Sequence, residues 1–318
     1  MVPDGATSSD AVVQTTAVAK AAEGMGYTRI WVAEHHNMTT VASTTPAILM
    51  AHLAANTNHI KVGSGGVMLP NHAPLAIAEQ FALLEALYPG RVDVGVGRAP
   101  GTDRETALAL RGARAAESED FPRNFIDLMG LLGDVRGENG LWDRFRATPA
   151  ATSSPSIIPL GSSGFSAELA GVLGLPFGFA HHFDMGGTVE AVSIYRDAFK
   201  PSPVLDEPYT IVTASTIAAE TAERAEWLAT PARLRRLGLR TGQRIAMLSP
   251  EDAAVHPEYE RAMQMQVSSL VGTGDEVVAG MHELAERTQA SELMLYTSTY
   301  SLEDRINSLE LIATRWIA

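Results

Sequence analysis

The stretch Arg29-Ile30-Trp31-Val32-Ala33-Glu34-His35-His36 reads as an apolar strand that ends in a carboxylate and two imidazoles. Histidine has the side chain whose ordinary pKa lies closest to neutrality, so it takes or gives a proton at little cost. At the carboxyl end of a buried parallel strand it stands where α/β folds keep their chemistry. The reading of this octapeptide as strand, then site, holds only if the rest of the chain builds such a fold around it.

Working outward, strand candidates fall at residues 30–33, 60–67, 92–96, 157–160, 177–180, 209–213 and 293–296. Each run is short, nearly uncharged and followed by Gly, Ser, Thr, His or Pro, as expected of strands buried on both faces. Helical patterns fill the gaps. Across residues 75–88, Ile77, Phe81, Leu84 and Tyr88 form one apolar stripe, stopped by Pro89-Gly90, and Leu302, Ile306, Leu309, Ala313 and Trp316 repeat that spacing near the end. An alternating βαβα series means a parallel sheet with right-handed crossovers. An eighth strand would close a (β/α)8 barrel, and it should precede Val2-Pro3-Asp4-Gly5, so the first strand is expected to be short or to begin outside the chain. Residues 147–156 (ATPAATSSPS) read as a surface linker, and 237–275 as an irregular excursion between the last two strands, a possible lid. The expectation is an α/β fold, a (β/α)8 TIM barrel forming a single domain over residues 1–318.

Composition narrows the chemistry. The 318 residues are 46% hydrophobic, ample for one large core. Cysteine is absent, which excludes disulfides, thiolate catalysis and cysteine-ligated metal centres. With no signal-peptide pattern at the start and the longest uncharged stretches broken by Pro176, glycines and histidines, the expectation is a cytoplasmic protein without a membrane span. The net charge of −13, and lysine only at Lys20, Lys61 and Lys200, argue against nucleic acid as a partner. An anionic ligand would be repelled at long range, so any phosphate site needs local donors.

Four strand ends are unusual, and a barrel would put all four on one rim. The first is Glu34-His35-His36; successive strand residues face opposite ways, so at most one histidine faces the site while strand geometry persists. The bland reading is a histidine hydrogen-bonded to a neighbouring loop. The second is Gly63-Ser64-Gly65-Gly66, where glycines mark a bulge, a flat ligand against the backbone or a packing accommodation. The third is Gly95-Val96-Gly97-Arg98, whose arginine suits an anionic group or pairs with Asp93, Asp103 or Glu105. The fourth is Gly161-Ser162-Ser163-Gly164-Phe165-Ser166, a strand running through small hydroxylated residues into a helix start, which either binds phosphate or caps the helix through Ser163 or Ser166. A second pair, His181-His182, taken with Glu34, His35, His36 and Asp184, raises a rival metal-dependent hydrolase. Barrel hydrolases place two ligand histidines one residue apart, a spacing neither pair has.

These residues resemble the bacterial luciferase-like monooxygenases, a family of (β/α)8 barrels that use reduced flavin. The resemblance is densest over 31–38 (WVAEHHNM), 63–70 (GSGGVMLP), 78–103, 161–167 and 292–295. It implies that His35 is the catalytic base; Glu34 and His36 beside it join the candidate catalytic group, with His36 expected in a supporting place because strand alternation turns it from the site. It implies that Gly65-Gly66 is a cis peptide behind the flavin ring, that Arg98 meets the flavin phosphate, and that Gly161, Ser162, Ser163 and Ser166 form the phosphate loop. One departure stands out: the luciferases carry a reactive cysteine just before that arginine, and here the residue is Gly97. The resemblance further implies reduced FMN from a separate flavin reductase, O2, a small organic substrate and a homodimer. No nicotinamide fingerprint follows any strand, in keeping with a second component. The deazaflavin F420, a non-catalytic flavin-binding role and the metal hydrolase remain alternatives.

Overall fold

Short apolar runs separated by glycine, proline and serine become parallel strands, and all seven expected ones form. The computed structural model describes residues 1–112, 120–183 and 185–316. Its strands are β1 (Arg29–Val32), β2 (Lys61–Ser64), β3 (Val67–Met68), β4 (Val92–Gly97), β5 (Ser156–Gly161), β6 (Phe177–Phe179), β7 (Thr210–Ala219), β8 (Leu270–Thr273) and β9 (Glu292–Tyr296). Its helices are α1 (Ser8–Gly24), α2 (Pro46–Ala55), α3 (Pro74–Leu87), α4 (Arg104–Arg111), α5 (Phe121–Leu131), α6 (Gly164–Leu173), α7 (Thr188–Ala198), α8 (Ala222–Thr241), α9 (Pro250–Ala254), α10 (Tyr259–Met263), α11 (Gly274–Thr288) and α12 (Leu302–Trp316). No helix among the described residues is long and apolar enough to cross a membrane.

The sheet runs β1-β2-β4-β5-β6-β7, with β3 beside β4 and both β8 and β9 beside β7, and every pair is parallel. That order is what helical crossovers of one hand generate, and it sends every strand's carboxyl end to one face. Among the described residues no ladder joins β9 to β1. Near the chain start, a single parallel bridge pairs Pro3 with Met247.

Three sequence expectations change. The run at 60–67 is two strands, β2 and β3, parted at Gly65-Gly66, whose peptide is cis. The run at 209–213 continues as β7 to Ala219, its first half pairing with β9 and its second half with β8. The stretch 237–275 is therefore partly regular: it holds the end of α8, then α9, α10 and β8. Residues 214–219 (ASTIAA) carry too little bulk to announce a strand, yet a continuing parallel partner satisfies their backbone groups.

Helices α2, α3 and α5 cover β1 to β4, burying Met50, Leu53, Phe81, Phe125 and Leu128 in the largest core cluster. In α3, the striped Ile77, Phe81 and Leu84 are all buried, as the spacing predicts. Inside the sheet, small residues make room for one large ring. A Cβ at Gly63 would collide with the Trp31 indole, and one at Gly66 would lie 2.7 Å from Leu160 Cδ1 and 2.8 Å from Gly95 O. Gly63 and Gly65 are thus explained in part by packing against Trp31, and Gly66 by Leu160 and Gly95.

The first and last strands are tied by side chains. Arg29 on β1 donates from Nη1 to Asp93 Oδ2 (2.6 Å) on β4 and from Nε to Glu292 Oε1 (2.8 Å) on β9. Trp31 Nε1 donates to the same Asp93 oxygen at 3.0 Å, and Tyr209 donates its hydroxyl to Glu292 Oε2 at 2.8 Å. Asp93 is fully buried, and burial followed by the Glu292 contact pushes the Tyr209 phenol up to about 12.

Candidate active site

The loop after β1 gathers the first group of polar residues. Because β1 ends at Val32, Glu34, His35 and His36 lie beyond the strand, and the alternation that would separate the two histidines no longer applies. Each imidazole instead has its own acceptor. His35 Nδ1 lies 3.1 Å from the carbonyl oxygen of Gly101, in the loop after β4. His36 Nε2 lies 2.9 Å from Glu34 Oε1. A carbonyl can only accept, so His35 carries its proton on Nδ1 and offers the Nε2 lone pair, the arrangement a base requires.

Glu34 is the hub of this group and is fully buried. Its Oε1 also takes His72 Nε2 at 2.8 Å, and its Oε2 takes the Met68 backbone amide at 3.0 Å. His72 escaped the sequence reading. It follows Pro70 and Asn71 in an unremarkable loop, and only the folded chain brings it to Glu34. Burial alone would raise the Glu34 carboxyl, but the His72 hydrogen bond and charge, the Met68 amide and the His36 hydrogen bond together hold it below its ordinary value of 4.5.

A carboxylate depressed by folding stabilises the native state above its unfolded pKa, and that share disappears as pH falls through the lower folded value. Glu34→Gln is therefore expected to lower the urea midpoint at neutral pH and to flatten its fall on acidification. Urea unfolding of both proteins, read from about pH 7 down to about pH 3, checks this; parallel acid limbs would contradict it.

The loop after β4 is laced onto this group. Thr102 donates its hydroxyl to His36 O (2.9 Å), Asn71 donates its amide to Pro100 O (2.9 Å), and Asn37 donates to Thr106 Oγ1 (3.0 Å). Gly101 has φ of +64°, and a Cβ there would meet Glu34 O at 2.7 Å, so only glycine lets its carbonyl reach His35.

Arg98 opens the same loop. None of its three expected carboxylate partners holds it: Asp93 pairs with Arg29, Asp103 caps α4, and Glu105 lies in the first turn of that helix without an ion pair to Arg98. Its guanidinium sits 4.2 Å from the centre of the Phe165 ring, the second residue of α6. Gly161, Ser162, Ser163 and Ser166 surround the start of this helix. Ser163 occupies the N-cap position, yet no side chain makes a capping bond there. Thr7, Asp103, Thr221, Ser249 and Thr273 cap α1, α4, α8, α9 and α11, whereas α2, α3, α5, α7 and α10 lack a side-chain cap as α6 does; what sets α6 apart is Arg98 beside it. The amides of a first helical turn have no partner within the helix and attract an anion. Arg98, Phe165 and the open end of α6 therefore form one cradle; Phe165 is the member that sequence reasoning missed, lying between the residues it singled out.

The second histidine pair goes elsewhere. His181 Nδ1 bonds Thr188 Oγ1 at 2.8 Å, while His182 packs against Tyr296 with ring centres 5.2 Å apart. Burial, then Arg236 and His181, lower the His182 pKa to about 4, so it is neutral. Asp184 lies outside the described residues. The donor atoms of Glu34, His36 and His72 lie within 4.8 Å of one another. In this structure the two imidazoles meet one carboxylate oxygen as a hydrogen-bonded cluster.

The sequence model of the luciferase-like monooxygenases matches residues 2–291. The chain belongs to the luciferase-like monooxygenase family. An uncharacterised protein of Bacillus subtilis, YvbT, is 46% identical over 322 residues, covering 99% of this chain and 94% of that one. The N-acetyl-S-alkylcysteine monooxygenase of the same organism is 31% identical over 324 residues, covering 100% and 96%. Among solved structures, apo-MsnO8 superposes with a TM-score of 0.91 at 33% identity, covering 99% of this chain and 96% of its own.

Further matches are less similar. The oxygenase component of a flavin-dependent trigonelline monooxygenase from Acinetobacter baylyi is 27% identical over 48% of this chain and 42% of its own. A type II Baeyer–Villiger monooxygenase in complex with FMN (TM-score 0.73, 19% identity, 98% and 94% covered) and an F420-dependent secondary alcohol dehydrogenase (0.63, 16%, 97% and 95%) share the fold. This luciferase-like chain thus shares its architecture with TIM-barrel monooxygenases.

Proposed function

We propose that the protein is the oxygenase component of a two-component flavin monooxygenase, taking reduced FMN from a separate reductase in the cytoplasm. The observation that carries this reading is the cradle itself, a guanidinium beside an uncapped helix start, which suits the phosphate of FMN. Bound reduced FMN would supply the oxygen chemistry, with O2 as co-substrate and a small organic molecule as acceptor. Arg98 and the α6 amides would hold the phosphate; Ser162, Ser163 and Ser166 add hydroxyl donors; Gly65 and Gly66, at the break between β2 and β3, would lie behind the flat ring. His35 holds its proton on Nδ1 and receives one at Nε2, while the buried Glu34 cluster keeps the loop in place. The trigonelline relative, described as an oxygenase component, supports the reductase partner. The F420 match is more distant than the FMN-bound one, which favours FMN.

Two further parts of the reading rest on the surface. The exposed side of α2 carries Ile48, 72% exposed, and that of α3 carries Leu83 and Leu87. In a chain of charge −13, these uncharged apolar positions support a homodimer. N-acetyl-S-alkylcysteines, the compound class in the name of the 31% relative, are the first substrates to try.

Arg98→Ala is expected to weaken FMN binding by about 1.5–3 kcal/mol, the usual loss for a charge-assisted contact, and to leave riboflavin binding unchanged. Fluorescence titration with both flavins measures this. An equal loss for both would take Arg98 off the phosphate, and unchanged affinity would remove it from the site.

A further inference from the structure

The geometry assigns opposite tautomers to the adjacent histidines His35 and His36, and makes His72 the positioning residue that holds His36 in its own. His35 bonds a backbone carbonyl through Nδ1, so its free lone pair is on Nε2. Glu34 is ionised and has no proton to give, so His36 and His72 must both donate from Nε2 to Oε1. His36 therefore offers Nδ1. Two neighbouring residues present chemically different ring edges because their partners, a carbonyl and a carboxylate, come from different parts of the fold.

His72 enters through the charge on Glu34. A carboxylate with 0% exposure stays ionised only while donors compensate for its lost hydration. His72 supplies the shortest of these bonds, at 2.8 Å; the others are His36 at 2.9 Å, the Met68 amide at 3.0 Å and the Asn71 amide at 3.4 Å. Arg111 Nε holds Asn71 Oδ1 at 3.2 Å, which keeps the Asn71 amide turned toward Glu34 and Pro100. Removing the His72 donor favours the neutral acid, with a proton taken from water. A protonated Glu34 has a single O–H, and it donates to His36 Nε2 once that nitrogen gives up its own proton. The His36 proton then moves to Nδ1, and an acceptor facing outward becomes a donor. His72, 29% exposed on its side chain, thereby sets the state of a residue it does not touch.

The test is 15N NMR of the free protein labelled at histidine nitrogens, with assignments from His35→Gln, His36→Gln and His72→Gln. Wild type is expected to show the proton on Nδ1 in His35 and on Nε2 in His36 and His72. His72→Leu should move the His36 signal from Nε2-protonated toward Nδ1-protonated. His72→Gln, whose amide nitrogen replaces the Nε2 donor, should restore the wild-type pattern. An unchanged His36 in folded His72→Leu overturns the role of His72. If that variant does not fold, the wild-type spectrum still decides, because protons on the same nitrogen in His35 and His36 overturn the assignment. Any effect on turnover rests on the monooxygenase reading, but these spectra need no flavin, so failed flavin binding and failed tautomers are separate results.

Discussion

Replacing His35 with alanine is expected to lower substrate oxygenation by about 10²–10⁴-fold under saturating reduced flavin, the range for losing a positioned general base. The physical ground is the fixed tautomer: Nδ1 is held by Gly101 O at 3.1 Å, so Nε2 is the atom that receives a proton. No other described residue replaces that lone pair at the same place, since His36 is turned to Glu34. Flavin affinity should stay within about twofold, because Arg98 and α6 carry the phosphate in this account. Comparison of the initial oxygenation rate with flavin affinity in the same preparation separates the two. A variant with wild-type turnover would take the base away from His35 while leaving the family assignment intact.

Arg29→Met should cost about 3–5 kcal/mol of stability, the usual consequence of leaving a buried charge without its partner. Asp93 is fully buried and shares one oxygen between Arg29 and Trp31, and Glu292 loses its 2.8 Å partner as well. The same substitution unties β1 from β9, which no ladder joins among the described residues. In Arg29→Met/Asp93→Leu the orphaned charge on β4 is gone, so the double variant should be more stable than Arg29→Met alone. Urea unfolding of the two singles and the double measures this cycle. A double variant that loses the full sum of the two singles would show no coupling between Arg29 and Asp93 and would contradict the account.

These two predictions rest on parts of the molecule that were unequally legible in the sequence. The seven strands were readable because each is an uncharged run with a clear stop. The run of small hydroxylated residues before α6 was also visible, but in the sequence it reads both as a phosphate loop and as a helix cap. β8 was not, because Leu270-Val271-Gly272-Thr273 is short, glycine-interrupted and paired only with the extension of β7. Arg29 looked like a strand flank, and only the sheet order brings Asp93 and Glu292 to it. The distinction between His35 and His36 was sought in strand alternation, whereas the strand ends two residues before Glu34 and hydrogen-bond partners distinguish them instead. His72 had no sequence signal at all; its importance comes from a contact made across 38 residues.

The central claim, a reduced-flavin oxygenase, is tested most directly by anaerobic titration of the protein with reduced FMN, F420 and riboflavin, alongside metal analysis of the same sample. The account predicts saturable binding of reduced FMN at one per chain, tighter than riboflavin, with no stoichiometric metal. Stoichiometric F420 without affinity for reduced FMN, or a bound metal in a protein indifferent to flavin, would contradict it.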